Sequence, residues 1–464
     1  MSIIEKVQTL LKKGDARTAK AKRHILYSFI VKGMSMVISL FLVRMMVGVL
    51  SKEVYGVWIV LFNVVGWFQF FDIGLDNGLR NKFAESLAEG NREKARIYLS
   101  TTLALMAIVA GGMLVLLFGV GPFLDWNALL GVKGEMAQII GQELTIASFI
   151  TFAFFFLNFV IKIIKTVLLA DQRPSVPGLL NMLTNLLVLG LLGLMMYTAR
   201  GSLVELAVIV GAMPLVVQGV AWIYFFAKDY KDLIPTPQYV RFSYTKDLVS
   251  LGFKFFVIQV IGVVLFLTDT RIIIEFVGGD DSKVRAANAA LYSTTHKYFA
   301  LITQAFGIIT TPFWSAYTEA FQKKEWDWIK RTNKNLVKVW YLTAAGSIFA
   351  LLLAPFVIEF LLEGDMKSDW QLNIFMLVFV LVLAYGSIFV MFVNGVGKVR
   401  LQMISSIIGG VINIPLSIFL ANECGLGLSG VIIASILCML YGAVLGPIQF
   451  NKIVNGTAKG IWDK

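Results

Sequence analysis

The chain has 464 residues; 58% are hydrophobic, only 15% are charged, and the formal net charge is +12. A soluble domain averages about 45–50% apolar and about 25% charged residues, so a soluble enzyme, a nucleic-acid-binding domain and a disulfide scaffold are all excluded. The positive charge fits the accumulation of Lys and Arg on the cytoplasmic side of membrane proteins better than it fits nucleic acid. Two cysteines, Cys424 and Cys438, make no disulfide or metal pattern, and no cofactor is expected.

In chain order, residues 1–24 form a basic tail. Ile3, Ile4, Val7, Leu10 and Leu11 share one helical face, with Lys6, Lys12 and Lys13 off it. This fits a short amphipathic helix on the inner leaflet; the alternative is a disordered basic tail. The apolar block that follows is too long for a signal peptide and reads as an uncleaved first span. Twelve blocks are long enough to cross about 30 Å of hydrocarbon: 25–50, 54–75, 98–120, 142–169, 177–198, 204–227, 248–276, 286–313, 336–358, 371–394, 402–420 and 430–450. All are expected to be helices, because lipid cannot satisfy an exposed backbone.

Placing the N-terminus inside puts 27 of the 33 Lys and Arg outside the spans on the inner side. Both termini are therefore expected in the cytoplasm. The link 228–247, with Pro235 and Pro237, divides the spans into an N-lobe (25–227) and a C-lobe (248–450), leaving 451–464 as a cytoplasmic tail. The lobes look related. Phe83-Ala84-Glu85-Ser86-Leu87 follows the second span and Tyr317-Thr318-Glu319-Ala320-Phe321 follows the eighth. Asn185 and Asn413 recur at a nearly equal offset. Six spans per half imply a parallel repeat.

Ionisable groups inside spans are the informative ones, since burial in lipid is costly. Lys32, Arg44, Lys162, Lys254, Arg271 and Lys297 lie five or more residues from a span end, whereas Asp269 is the only acid at that depth. Such a cationic surplus must face a protein interior or a wet cavity and favours an anionic substrate. Thr151, Asn158, Lys162 and Lys165 share one face of the fourth span. Arg271 stands four residues before Glu275, close enough for partial neutralisation. Snorkelling to head groups is the plainer reading of Lys162 and Arg44. An ion pair holding the bundle is the plainer reading of Asp269, whose other reading is coupling to an ion. His296 reads as a packing histidine and Trp326-Asp327-Trp328 as an interfacial anchor. No metal-ligand set and no Gly-rich phosphate loop occurs, so neither a metal site nor ATP-driven transport by this chain alone is expected.

Several strings carry a family resemblance. Tyr55-Gly56-Val57-Trp58, Phe71-Asp72-Ile73-Gly74-Leu75, Asn77-Gly78-Leu79-Arg80-Asn81-Lys82 and Thr311-Pro312-Phe313-Trp314-Ser315-Ala316-Tyr317-Thr318-Glu319-Ala320 resemble bacterial polysaccharide-biosynthesis flippases of the Wzx type. The resemblance spans nearly the whole chain. It implies the superfamily shared with MATE multidrug exporters and lipid II flippases: an all-α polytopic membrane protein, twelve transmembrane helices in two six-helix lobes around a central cavity, working by alternating access. It implies a non-enzymatic flippase of the bacterial inner membrane, moving an undecaprenyl-diphosphate-linked oligosaccharide; the oligomeric state stays open, with a monomer as the simplest expectation. The bilayer and the lipid-linked glycan are then partners, with a glycan polymerase or glycosyltransferases of the same pathway as candidates. Cavity charges vary within the family, so the substrate-binding candidates Lys32, Arg44, Lys162, Lys254, Arg271 and Lys297, and the ion-coupling candidate Asp269, rest on depth and charge alone. The alternative is a MATE-like multidrug or organic cation exporter, which wants deep carboxylates. A glycan polymerase or ligase would want a large periplasmic loop, and even the longest outside link, 121–141, is short.

Overall fold

The computed structural model describes residues 16–198, 202–277, 281–362 and 366–464; the apolar face of the N-terminal tail, Ile3 to Leu11, lies outside them. Twelve helices among the described residues are long and apolar enough to cross a membrane. They are Arg23–Val49, Glu53–Asp72, Arg92–Phe123, Met136–Ala170, Ser175–Tyr197, Leu203–Lys228, Phe242–Phe276, Lys283–Gln322, Trp326–Leu361, Trp370–Val396, Arg400–Glu423 and Gly427–Val454, called spans 1 to 12 below. No strand occurs among the described residues. The chain is an all-α, multi-pass membrane protein.

Each expected block is found, but several helices outrun it. Span 3 starts at Arg92 because the Asn91 side chain accepts from the Lys94 amide as an N-cap, 2.9 Å away. Span 9 likewise runs from Trp326, well before its apolar block begins. Hydropathy marks only the part of a helix that lipid requires; capping and propensity extend the rest.

The segments that follow the second and eighth apolar blocks are helical too: Leu75–Ala88 and Phe313–Gln322. Phe83 and Tyr317, at matching places in the two halves, are both fully buried. Burying each ring stabilises by about 1.5–3 kcal/mol. Both helices end in the same way. Gly90 and Lys324 take positive φ, 73° and 57°. The amides of Asn91 and Glu325 then donate back across the last turn, to the carbonyls of Ser86 and Ala320, both at 2.9 Å. This is the Schellman stop, placed twice at one offset. Trp328, expected as an interfacial anchor, is instead buried against Tyr317, ring centroids 5.9 Å apart; the added helix supplies the wall that hydropathy could not foresee.

The chain forms two compact units, Met1–Gly252 and Phe253–Lys464. In the first, spans 1 and 5 pack through small residues: β-carbons at Gly178, Gly193 and Gly48 would meet Val31, Met45 and Met196 at 3.4–3.5 Å. Small residues let helices approach closely where lipid offers no hydrophobic drive. The helix Leu75–Ala88 rests on the start of span 7, where a β-carbon at Gly78 would come 2.7 Å from the Leu248 carbonyl oxygen. Segment 228–247 also packs here as 3₁₀ turns. It is held by an Arg92–Asp232 ion pair and by Arg96, which stacks 4.0 Å from the Tyr239 ring centroid.

In the second unit, span 10 packs against spans 8, 9 and 12. It meets span 12 backbone to backbone: a β-carbon on Gly386 would sit 2.9 Å from Gly442 Cα. Span 12 is itself interrupted by a π-helical turn at Tyr441–Leu445. The end of the chain folds back on this unit. Asp463 pairs with Lys398, and the Arg400 amide donates to the Lys464 carbonyl at 2.9 Å. Asp229 precedes Asp463 by the same offset that separates Phe83 from Tyr317, and it pairs with Arg173 at 2.5 Å in the first unit.

Candidate functional site

Two buried polar clusters stand out, one in each unit. In the first, span 2 stops at Trp67, turns through a 3₁₀ segment Phe68–Asp72 and restarts at Leu75. Ile73 and Gly74 both take left-handed backbone, with φ of 47° and 72°. For a β-branched residue such as Ile73 this is strained. The Asp72 side chain pins the turn by accepting from the Gly74 amide at 2.9 Å. Span 4 has a slight interruption of its hydrogen-bond ladder at Lys162. The backbone stays helical there, with φ −58° and ψ −18°, and the Lys162 amide still donates to the Asn158 carbonyl at 2.9 Å, but the Lys165 amide turns to the Lys162 carbonyl instead of that of Ile161.

The two interruptions meet through charge. Lys162 Nζ lies 3.1 Å from Asp72 Oδ2 and 2.9 Å from Asp76 Oδ2, with all three side chains less than a quarter exposed. Thr166 reaches Asp76 at 3.4 Å. Carbonyls freed at the break find partners: Trp222 donates to the Ile161 oxygen at 2.8 Å. On the helix that carries Asp76, burial pushes the Arg80 guanidinium down to about 9, leaving it charged at neutral pH.

In the second unit, Asp269 of span 7 is 3% exposed. Tyr292 of span 8 donates to its Oδ2 at 2.8 Å, and Ser435 of span 12 donates at 3.2 Å. Asn413 of span 11 donates to the Ser435 hydroxyl at 3.0 Å, which leaves that hydroxyl's one proton for the carboxylate. A cavity of about 290 Å³ opens one turn away, with Leu265 and Cys438 in its wall and Gln402, Ser405, Ser406 and Tyr441 along its polar side. Buried Gln402 Oε1 has no hydrogen-bond partner among the described residues.

The sequence candidates fall in different settings. Lys162 is in the first cluster. Lys32 and Arg44 are exposed on span 1, Lys297 is exposed on span 8, and Lys254 is half-buried on span 7. Arg271 is exposed and paired with Glu275 at 2.5 Å. None of the six lines the 290 Å³ cavity. The predicted stripe on span 4 is shared among its neighbours. Gln218 donates to Asn158 at 2.7 Å, Lys165 donates to Asn181 at 2.7 Å, and Thr151 returns its proton to the Ala147 carbonyl at 2.7 Å. Asp269, read from sequence as an ion-pair member or a coupling group, has neutral hydroxyl partners among the described residues. Sequence reasoning misses Asp72 and Asp76, because Asp72 lies near a span end when counted along the chain. The signal that could find them is two aspartates four apart around Gly74, which marks a helix stop and restart.

No family model matches the chain. Among curated proteins, it is 22% identical over 414 residues to a "Putative O-antigen transporter" of Salmonella typhi, covering 85% of this chain and 89% of that one. It is 23% identical over 432 residues to a "Putative O-antigen export protein" of Yersinia pseudotuberculosis, covering 92% and 94%. A third relative, "Uncharacterized membrane protein EpsK" of Bacillus subtilis, is 23% identical over 436 residues, covering 90% and 81%. The resemblance drawn from the sequence strings is thus met by proteins named as transporters, not enzymes. Among solved structures, a MATE transporter in complex with MaD3S superposes with a TM-score of 0.76 at 18% identity, covering 97% of this chain and 98% of that one. A MOP superfamily transporter from Pyrococcus furiosus, described as having a binding pocket of reversed polarity, gives 0.74 at 17%, covering 98% and 99%. The fold is that of MATE transporters of the MOP superfamily.

Proposed function

We propose that this transporter-fold protein flips an undecaprenyl-diphosphate-linked oligosaccharide across the inner membrane by alternating access. The observation that carries the reading is similarity along most of the chain to two proteins named for O-antigen transport or export. The deep cations that stand outside ion pairs among the described residues, Lys32, Arg44, Lys254 and Lys297, support it, because a diphosphate needs cations on its path. At least three of Lys32, Arg44, Lys162, Lys254, Arg271 and Lys297 meet the diphosphate or acidic sugars. Arg grips phosphate through two donors, whereas Lys acts as a compact charge. Both termini lie in the cytoplasm, and enzymes of the same glycan pathway are the partners.

If transport is coupled to an ion, Asp269 is the first candidate to carry it. Its neutral, fully buried partners leave it free to change charge without breaking an ion pair, unlike a carboxylate in a salt bridge. The test is deletion of the gene in its host, followed by analysis of lipid-linked glycans. Accumulation on the inner leaflet is expected, and complementation restores export. Normal export with altered resistance to organic cations would instead favour a multidrug exporter.

A further inference from the structure

Lys162 joins two interrupted spans and balances only one of two carboxylates. Asp72 and Asp76 both hold its ammonium within 3.1 Å, so the cluster carries one net negative charge when all three are ionised. The charged groups on the elements packed around it are otherwise engaged or lie further along. Lys165 is bonded to Asn181, and Lys82 to Glu85. At the start of span 7, Asp247 accepts from Tyr98 at 3.4 Å, and Lys246 precedes it. At the start of span 3, Arg92 pairs with Asp232 and Lys94 with Glu89. Arg80 lies on the helix that carries Asp76, and Arg173 after span 4 pairs with Asp171 and Asp229.

We propose that the triad is an anion-operated lock: an anionic diphosphate head group takes Lys162 from Asp72 and Asp76, and the released carboxylates take up one proton from water. This rests on the proposed transport of a diphosphate and adds to it a place where substrate binding is exchanged for a proton. The reason is electrostatic. Two carboxylates that shared one cation lose it together, and neighbouring like charges in a poorly solvated site cannot both stay ionised. One O–H bond then forms, on Asp72 or Asp76, with the proton drawn from the aqueous phase. The geometry makes the exchange mechanical as well. Lys162 sits at the tightened turn of span 4, and Asp72 pins the left-handed turn at Ile73. Unlocking removes the cross-link between span 4 and the break that ends span 2, and a break in a helix is a usual position of bending.

Two experiments on the purified full-length chain test this. The first needs no ligand. Lys162→Met strands both carboxylates, so the thermal midpoint should fall at pH 8 and recover by pH 5, as one of them protonates. The wild type should stay flat over that range. The triple variant Lys162→Met/Asp72→Asn/Asp76→Asn should recover at both pH values. A loss in Lys162→Met that is the same at both pH values overturns the proposal. The second uses farnesyl diphosphate as probe in weakly buffered detergent. The wild type should take up about one proton per bound probe, whereas Asp72→Asn and Asp76→Asn should bind with little uptake. Binding by the wild type without proton uptake overturns the exchange while leaving diphosphate transport standing. Absence of binding at any pH overturns both.

Discussion

The two units hold their buried charge in opposite ways. The first places a lysine between two aspartates, at two helix interruptions. The second places one aspartate among hydroxyls and an amide, inside four helices. A cation shared by acids can be captured by a stronger anion; an acid held by neutral donors can change its own charge at little structural cost. The two units therefore share a helix stop without sharing chemistry. The stops after residues 88 and 322 share their hydrogen bonds, yet among the described residues no lysine pairs with Asp269.

The largest effect should break this contrast at Lys162. Removing one partner of a buried ion pair costs about 3–5 kcal/mol, and the partial exposure of Lys162 places the expected loss for Lys162→Met at about 3 kcal/mol, near the lower end. Thermal unfolding at neutral pH reads it. Restoration by the added Asp72→Asn and Asp76→Asn changes would assign the loss to stranded carboxylates rather than to lost packing. Lys32→Met, which removes an exposed charge, should leave stability within about 0.5 kcal/mol.

Asp269 comes next. Asp269→Leu leaves the Tyr292 and Ser435 hydroxyls without their acceptor, for a cost of about 1–3 kcal/mol. Asp269→Asn keeps the shape and an acceptor, so it should fold nearly as well and lose the ion dependence of transport. Flux measured in proteoliposomes with and without an ion gradient separates the two. Persistent ion dependence in a stable Asp269→Asn protein would move coupling elsewhere in the chain.

These two sites also mark how far the sequence could be read. Every span was legible, because each carries about 20 apolar residues that have no other stable setting. The offset between Phe83 and Tyr317 in the sequence is also the offset between the two helix stops at Gly90 and Lys324. The first cluster was not legible. Depth counted along the chain placed Asp72 at a span end, and a 3₁₀ turn carries it back against Lys162. Periodicity assumes an unbroken helix, so the interruption at Lys162 was hidden as well, and with it the division of the polar stripe among its neighbours. Asp269 was found because its helix is continuous there, but its partners come from spans 8 and 12, which no spacing within span 7 encodes.

A smaller effect compares backbone contacts. Gly78→Ala and Gly386→Ala would each place a β-carbon under 3.0 Å from backbone, of Leu248 and Gly442 respectively. Each should cost about 1–3 kcal/mol, since backbone cannot swing aside as a side chain can. Gly262→Ala, with nothing within 4 Å of the added carbon, is the control and should change stability little.

The smallest effect sharpens the comparison of the repeats themselves. Phe83 and Tyr317 hold equivalent positions and are both fully buried, but Tyr317 carries a hydroxyl that has no hydrogen-bond partner among the described residues. Its ring packs edge-on to Phe392 and Trp328, at centroid distances of 5.4 and 5.9 Å. Those contacts survive in Tyr317→Phe, which removes only the unpartnered oxygen. A buried hydroxyl without a partner is a liability of about 1–3 kcal/mol, so the variant should be neutral to slightly more stable. The void left by one oxygen offsets part of that gain. A rise or no change in the thermal midpoint is expected. A fall corresponding to more than about 1 kcal/mol would mean that the hydroxyl is bonded in the membrane, and that the second unit uses at Tyr317 a polar contact which its counterpart at Phe83 cannot make.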